Sequence, residues 1–170
     1  MIRLLGALML AGGVASIGFF AAGELNRRTR ALRAICVALE RMEQEIAFRL
    51  TPLPDLFRLL SIQSEPPARE LFARCLEGLE RLGEVPFSQI WSEELERLMP
   101  YLREGERGAL EELGSVLGRY DGEAQRAALS RVRTELAHGL ETAQEEQKQQ
   151  GRIYRVLGIT AGAFFVILLL

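Results

Sequence analysis

Two uncharged, strongly apolar segments, residues 4–23 and 156–170, enclose a middle region in which charged residues are spread throughout. An α-helix of 20 residues rises about 30 Å, close to the hydrocarbon thickness of a bilayer, so residues 1–23 are predicted to form a transmembrane helix. The second segment approaches the minimum of about 17 residues for a span once Ile153, Tyr154 and a snorkelling Arg155 are included. Residues 153–170 are therefore predicted to form a second membrane helix.

Positively charged residues gather at the inner edge of both apolar segments. They are Arg27, Arg28, Arg30 and Arg33 after the first segment, and Lys148, Arg152 and Arg155 before the second. Because positive flanks resist translocation, residues 24–152 are predicted to form one cytoplasmic domain, with both termini across the membrane. The alternative is that residues 1–23 are a cleaved signal peptide, since Arg3 precedes an apolar core that ends in small residues. The domain would then be exported and tethered only at its C-terminus.

All six prolines lie between Pro52 and Pro100, which predicts long helices at both ends of the domain and short helices between them. Apolar residues recur every three or four positions, as at Leu32, Ile35 and Leu39, and this spacing lines one face of a helix. No stretch of useful length alternates as a β-strand would. The sequence therefore predicts an all-α fold, a bundle of about six helices flanked by the two membrane helices.

Capping residues indicate where these helices begin and end. The first helix is predicted to end near Arg49, with Thr51 capping the second helix, Ser88 the fourth and Asp121 the last. Gly83 is predicted to mark the end of the third helix, since glycine is common just past helix C-termini.

Residues typical of catalytic and metal sites are scarce. His138 is the single histidine, and Cys36 and Cys75 have no partner at ligand spacing, so both are predicted to be buried, reduced thiols. Glutamates alternate with arginines at helical spacing, as in Glu93 and Arg97, which predicts salt-bridged surfaces rather than acid/base catalysis. The net charge is −2 and no basic cluster is interleaved with aromatic residues, so nucleic acid is not predicted as a partner. No enzyme activity, metal or cofactor is predicted.

Small residues are spaced four apart in both apolar segments, at Ala7, Ala11 and Ala15 and at Gly158 and Gly162. This spacing lets transmembrane helices approach closely. The segments are therefore predicted to pack either against each other as a hairpin or against other subunits, which include further copies of this chain. Neither segment holds an ionisable residue, so a transport pathway through this chain alone is not predicted.

Short motifs follow the first apolar segment in order along the whole chain. They are Arg27-Arg28 with Ala31-Leu32, the run LERMEQEI at 39–46, TPLPDL at 51–56, LGRYDG at 117–122, and YRVLG at 154–158 before the final leucines. Taken together, they resemble the stage III sporulation protein AB family. The resemblance implies a helical domain similar to the cytoplasmic domains of the type II secretion and type IV pilus inner-membrane platform protein.

The resemblance also implies a function. It implies a platform in the outer forespore membrane, on the mother-cell side, that docks a hexameric secretion-type ATPase, stage III sporulation protein AA. Other membrane subunits of a channel between mother cell and forespore, and membrane lipid, are the further partners. For this chain the expected partner-binding residues are Arg27, Arg28, Arg33, Glu43 and Glu45, on the membrane-proximal helix. The alternative interpretation of these five residues is topogenic charge and ordinary solvated helix surface.

Overall fold

The computed structural model describes the backbone of residues 2–49, 51–117 and 122–169, and the side chains of residues 23–48, 51–117, 123–150 and 153. The α-helices are α1 (Ile2–Arg49), α2 (Leu53–Gln63), α3 (Ala68–Gly78), α4 (Phe87–Leu98), α5 (Glu104–Leu117) and α6 (Gly122–Leu169). A short 3-10 helix, Leu79–Arg81, follows α3. Within these described ranges there is no β-strand, so the predicted all-α fold of six helices is confirmed.

The chain divides into two compact units, one formed by residues 28–141 and the other by residues 1–27 together with 142–170. In the second unit, Gln147 on α6 donates a hydrogen bond of 3.3 Å to Asn26 on α1. No helix in the described part of the chain combines the length and apolar character needed to cross a bilayer. Apart from Gly23 and Ile153, the predicted membrane helices at 1–23 and 153–170 lie outside the residues whose side chains are described. The two membrane helices, and the boundaries predicted for them, stay a prediction.

The long helices α1 and α6 each bury one apolar face within the 28–141 unit. The buried apolar residues are Ala31, Leu32, Ala34, Ile35, Ala38, Leu39, Met42 and Ile46 on α1, and Ala128, Leu129, Val132 and Leu136 on α6. Most of them follow the three-and-four spacing that the sequence showed. The first helix ends at Arg49, as predicted.

Proline, rather than a side-chain cap, precedes three of the short helices. Pro52, Pro67 and Pro86 occupy the N-cap positions of α2, α3 and α4, and none of them makes a side-chain hydrogen bond to its helix. Pro54 lies in the first turn of α2, where a missing N–H removes no helical hydrogen bond. The predicted caps at Thr51 and Ser88 are therefore wrong, because Pro52 and Pro86 hold the N-cap positions and Ser88 lies within α4.

The third helix ends earlier than predicted. α3 stops at Gly78, where an added Cβ would collide with Ile90 of α4, and the 3-10 helix follows. Gly83 has a φ of 108°, in the left-handed region that favours glycine. Gly83 therefore forms the turn after the helix and not the end of the helix itself. The predicted cap at Asp121 lies outside the described residues.

Four aromatic rings form the centre of the packing among α2, α3 and α4. Phe57, Phe72, Phe87 and Trp91 contact one another with ring centroids 5.5 to 6.3 Å apart. These separations lie in the range that aromatic pairs prefer. Nε1 of the buried Trp91 also donates a hydrogen bond of 2.7 Å to the backbone carbonyl of Leu110, which joins α4 to α5.

Gly114 makes room for the indole of Trp91. It is buried on α5, one turn after Leu110, and a Cβ at this position would overlap the indole ring. Glycine in a helix interior costs about 1 kcal/mol relative to alanine. Close packing of α4 on α5 therefore explains why a helix that would be more stable with alanine carries glycine here.

We expect Gly114→Ala to lower the free energy of unfolding by about 1–3 kcal/mol, because the added methyl group must displace Trp91. Gly108→Ala is the matched control on the same helix: it is exposed and its Cβ would meet open space. That substitution should stabilise the protein by up to about 1 kcal/mol through helix propensity. Chemical denaturation of the full chain, followed by circular dichroism, measures the free energy of unfolding of both variants. An equal change in Gly114→Ala and Gly108→Ala would contradict the packing role of Gly114.

Candidate protein interaction surface

The five residues predicted to bind a partner fall into three environments. Arg28 is buried, with 5% of its surface exposed. Glu43 and Glu45 are half-buried, whereas Arg27 and Arg33 are exposed. The interpretation of all five as ordinary solvated helix surface is therefore wrong for Arg28.

Arg28 forms a buried ion pair with Glu106 of α5. Its Nη2 lies 2.5 Å from Oε1 of Glu106, and its Nε lies 3.1 and 3.2 Å from the two carboxylate oxygens. Glu106 is itself only 6% exposed. Charge-assisted hydrogen bonds of this kind are among the strongest in proteins. The guanidinium of Arg28 is thus used inside the fold and is not displayed to a partner.

Glu106 contacts three helices of the 28–141 unit. Its Oε2 accepts a hydrogen bond of 2.9 Å from the backbone N–H of Arg103, just before α5, as the glutamate of a capping box does. On α6, a Cβ added at Gly139 would come within 2.9 Å of Oε1. One carboxylate therefore pairs with α1, caps α5 and occupies the space that Gly139 leaves on α6.

Glu43 and Glu45 also make contacts within the chain. Oε2 of Glu43 lies 2.7 Å from Nη1 of Arg133, which joins α1 to α6. Glu45 accepts a hydrogen bond of 3.1 Å from the hydroxyl of Thr51 in the connection to α2. By contrast, neither Arg27 nor Arg33 has an ion-pair partner in the described part of the chain. Binding of a partner by Arg27, Arg33, Glu43 and Glu45 stays a prediction.

Surface arginines elsewhere pair with carboxylates, at a spacing of three residues rather than the predicted four. Arg97 pairs with Glu94 and not with Glu93, and Arg74 lies 3.0 Å from Glu77. Residues three apart share a helix face as residues four apart do. The predicted salt-bridged surfaces are therefore present, but arginines such as Arg97 pair with a different glutamate from the one predicted.

The structure exposes four large apolar side chains that the sequence pattern did not indicate, namely Val37, Phe48, Ile62 and Leu82. Val37, Phe48 and Ile62 are 44%, 85% and 71% exposed. Val37 and Phe48 are separated by eleven residues, about three helical turns, so they lie on the same face of α1. We refer to Val37, Phe48 and Ile62 as the apolar patch. Each lies off the buried stripe of its helix, which is the sequence signal that identifies it.

A hydrogen bond joins the exposed side of α1 to the end of α2. Arg41 lies between Val37 and Phe48 on α1, and its Nη1 donates a hydrogen bond of 2.5 Å to the carbonyl of Gln63 at the end of α2. Ile62 immediately precedes Gln63. The members of the apolar patch therefore lie on two helices that this hydrogen bond joins.

Both cysteines are free thiols. Cys75 is buried, as predicted, whereas Cys36 is half-buried. Loss of hydration on burial raises the pKa of the Cys36 thiol to about 11 and that of Cys75 to about 12. Because a raised thiol pKa favours the neutral form, both are protonated near pH 7 and are weak nucleophiles.

One groove, of about 480 Å³, lies between α2 and the end of α3. The residues that line it are Pro54, Arg58, Leu76, Glu77, Leu79 and Glu80. This lining contains no histidine, cysteine or serine that could act as a nucleophile. Among the described residues, no three histidine, cysteine or acidic side chains lie together so that they could hold a metal ion.

Comparison with known proteins identifies the family. A family model described as stage III sporulation protein AB matches residues 3–170. This chain belongs to that family. A curated relative, stage III sporulation protein AB of Bacillus subtilis (strain 168), is 26% identical over 172 residues, and the alignment covers 100% of both proteins. The family indicated by the sequence motifs is thus confirmed.

A solved structure within the family supports the fold. It is that of stage III sporulation protein AB (SpoIIIAB), which matches this chain with a TM-score of 0.63 at 25% sequence identity. The match covers 72% of this chain and 98% of the solved one. The helical arrangement described above is therefore shared with an experimentally solved member of the stage III sporulation protein AB family.

We expect Arg28→Met to lower the free energy of unfolding of this family member by about 3–5 kcal/mol, because it leaves the buried carboxylate of Glu106 without its counter-charge. Adding Glu106→Gln to Arg28→Met should recover part of this loss. The amide is neutral, and its oxygen can still accept a hydrogen bond from the Arg103 N–H. Urea denaturation of the full chain measures both variants.

The control for this prediction is Arg58→Met. Arg58 pairs with Asp55 at 2.7 Å, but both side chains are exposed, so its loss should cost less than about 1 kcal/mol. A loss at Arg28 that is no larger than the loss at Arg58 would contradict a stabilising role for the buried pair.

Proposed function

We propose that this chain is a membrane-anchored platform of a sporulation channel between mother cell and forespore, where it docks a cytoplasmic secretion-type ATPase. Membership of the stage III sporulation protein AB family ties the chain to sporulation. The observation that carries the docking role is the apolar patch, because Val37, Phe48 and Ile62 are exposed on neighbouring helices. The platform acts through contacts, without chemistry of its own.

The apolar patch has the make-up of a protein-binding surface. Burying Phe48 against a partner would remove most of a large side chain from water, which is worth about 1.5–3 kcal/mol. Arg41 and Gln44 lie on the same face of α1 and supply the polar surroundings that are typical of binding hot spots. An apolar groove on the ATPase that receives one helix face would match this arrangement.

Membrane anchoring in this proposal rests on the two uncharged segments and their basic flanks. Residues 4–23 are long enough for one span, and the arginines from Arg27 to Arg33 favour a cytoplasmic location for the domain that follows. Held in the outer forespore membrane, the domain would face the mother-cell cytoplasm. An ATPase of the mother cell would then meet it directly.

Labelling of single engineered cysteines tests this topology, in a chain whose Cys36 and Cys75 are replaced by alanine and which is expressed in the cell membrane of protoplasts. Ser130→Cys, at an exposed position of α6, should react with an impermeant maleimide only after the membrane is opened. Ile2→Cys and Leu170→Cys should react from outside. Reaction of Ser130→Cys in intact protoplasts, with mass loss of the N-terminal segment, would instead favour an exported domain tethered at its C-terminus.

Copurification from membranes with stage III sporulation protein AA tests the docking role. We expect Phe48→Ser combined with Ile62→Ser to weaken the association by about tenfold or more, because interface anchors contribute more than about 1 kcal/mol each. Both residues are exposed, so circular dichroism should show an unchanged fold.

Leu82→Ser is the matched control for the docking experiment, since Leu82 is 49% exposed but lies outside the apolar patch. It should leave the association with the ATPase unchanged. Absence of association of the unaltered chain at both low and moderate salt would contradict the platform role. An equal loss in Leu82→Ser would contradict the assignment of docking to the patch.

A further inference from the structure

Arg30 and Arg33 carry positive charge that the fold does not use. Both are exposed, and neither has a hydrogen-bond or ion-pair partner in the described part of the chain. The sequence between Glu24 and Glu40 contains no carboxylate, so no acidic side chain on α1 neutralises them. The exposed side of α1 therefore carries two positive charges, at Arg30 and Arg33, before it reaches Val37.

Several other arginines of this chain are engaged in ion pairs. Exposed arginines that pair with a carboxylate are Arg58, Arg74, Arg97 and Arg131. Arg28 lies in the same short segment as Arg30 and Arg33, but its pair with Glu106 is buried. Arg30 and Arg33 lie on the side of α1 opposite Arg28 and face outward.

The sequence places these two arginines close to the first uncharged segment. Arg30 and Arg33 follow Gly23 by seven and ten residues, which correspond to about 10 and 15 Å on a helix. The headgroup region of a bilayer extends about 5–7 Å beyond its hydrocarbon core, and charges act over a Debye length of about 8 Å. Arginine stems can also lean toward the interface. Lipid phosphates of the proposed anchoring membrane would therefore lie within reach of these residues.

We propose that Arg30 and Arg33 bind the phosphate groups of anionic phospholipids, such as phosphatidylglycerol, in the membrane that anchors the chain. This inference rests on the membrane anchoring in the proposed function. A guanidinium matches a phosphate with two parallel hydrogen bonds, and each basic residue near an anionic membrane surface contributes about a fivefold preference for it. The exposed side of α1 is thereby divided between lipid at Arg30 and Arg33 and protein at the apolar patch.

Electron spin resonance of spin-labelled lipids tests the proposal on the full chain reconstituted into phosphatidylcholine vesicles. The immobilised fraction of labelled phosphatidylglycerol, compared with that of labelled phosphatidylcholine, gives the relative association constant of the two lipids. We expect the unaltered chain to prefer phosphatidylglycerol several-fold at low salt and to lose most of this preference at high salt. Arg30→Gln combined with Arg33→Gln should reduce the preference by about fivefold or more.

Arg81→Gln combined with Arg126→Gln is the control, because both arginines are exposed, lie away from the uncharged segments in sequence and have no ion-pair partner among the described residues. It removes the same charge and should leave the lipid preference unchanged. Circular dichroism of both double variants should show an unchanged helical content, since exposed substitutions of this kind change stability by about 0.5 kcal/mol or less.

Four outcomes would overturn the inference. An equal preference for phosphatidylglycerol in the unaltered chain and in Arg30→Gln/Arg33→Gln would overturn it. So would an unchanged lipid preference together with weaker ATPase copurification, which would assign the two arginines to an acidic protein surface. Release of the chain from membranes by alkaline carbonate would contradict both the proposed membrane anchoring and this inference. Retention of the chain in membranes without any lipid preference would overturn this inference alone.

Discussion

The buried ion pair between Arg28 and Glu106 joins α1 to α5 inside the 28–141 unit, and the exposed side of α1 lies opposite to it. Burying two charges carries a large desolvation cost, which only good geometry and further hydrogen bonds offset. Both conditions are met here, since the guanidinium contacts both oxygens of Glu106 and the Arg103 N–H satisfies one of them again. Gly139 completes the site by leaving space on α6. One rotation of α1 therefore satisfies both this pair and the buried apolar face of the helix.

In that rotation the residues of α1 fall into a buried side and an exposed side. One face packs into the core through residues such as Leu32 and Leu39. The opposite side begins with Arg30 and Arg33 and continues to Val37 and Phe48. The charge and the apolar character of the exposed side thus change along a single helix. The docking platform proposed for this chain would use such a division, because it keeps the proposed lipid contact apart from the proposed protein contact.

Sequence periodicity predicted the number of helices and their buried faces, because the three-and-four spacing of apolar residues is a local property. It could not predict the burial of Arg28, since a charged residue is expected at the surface and its partner lies 78 positions away among many other glutamates. The helix starts at Thr51 and Ser88 were misassigned because the neighbouring prolines compete for the same role. The spaces at Gly114 and Gly139 are defined by side chains of other helices, which no local pattern contains.

Trp91 is the one tryptophan of the chain, and it lies at the centre of the aromatic cluster with its indole N–H bonded to Leu110. Its ring is fully buried against Phe57, Phe72 and Phe87. An indole shielded from water emits at shorter wavelength than a hydrated one, and the surfaces where partners and lipid are proposed to bind contain no tryptophan. The chain therefore carries a built-in fluorescent reporter of its folded core.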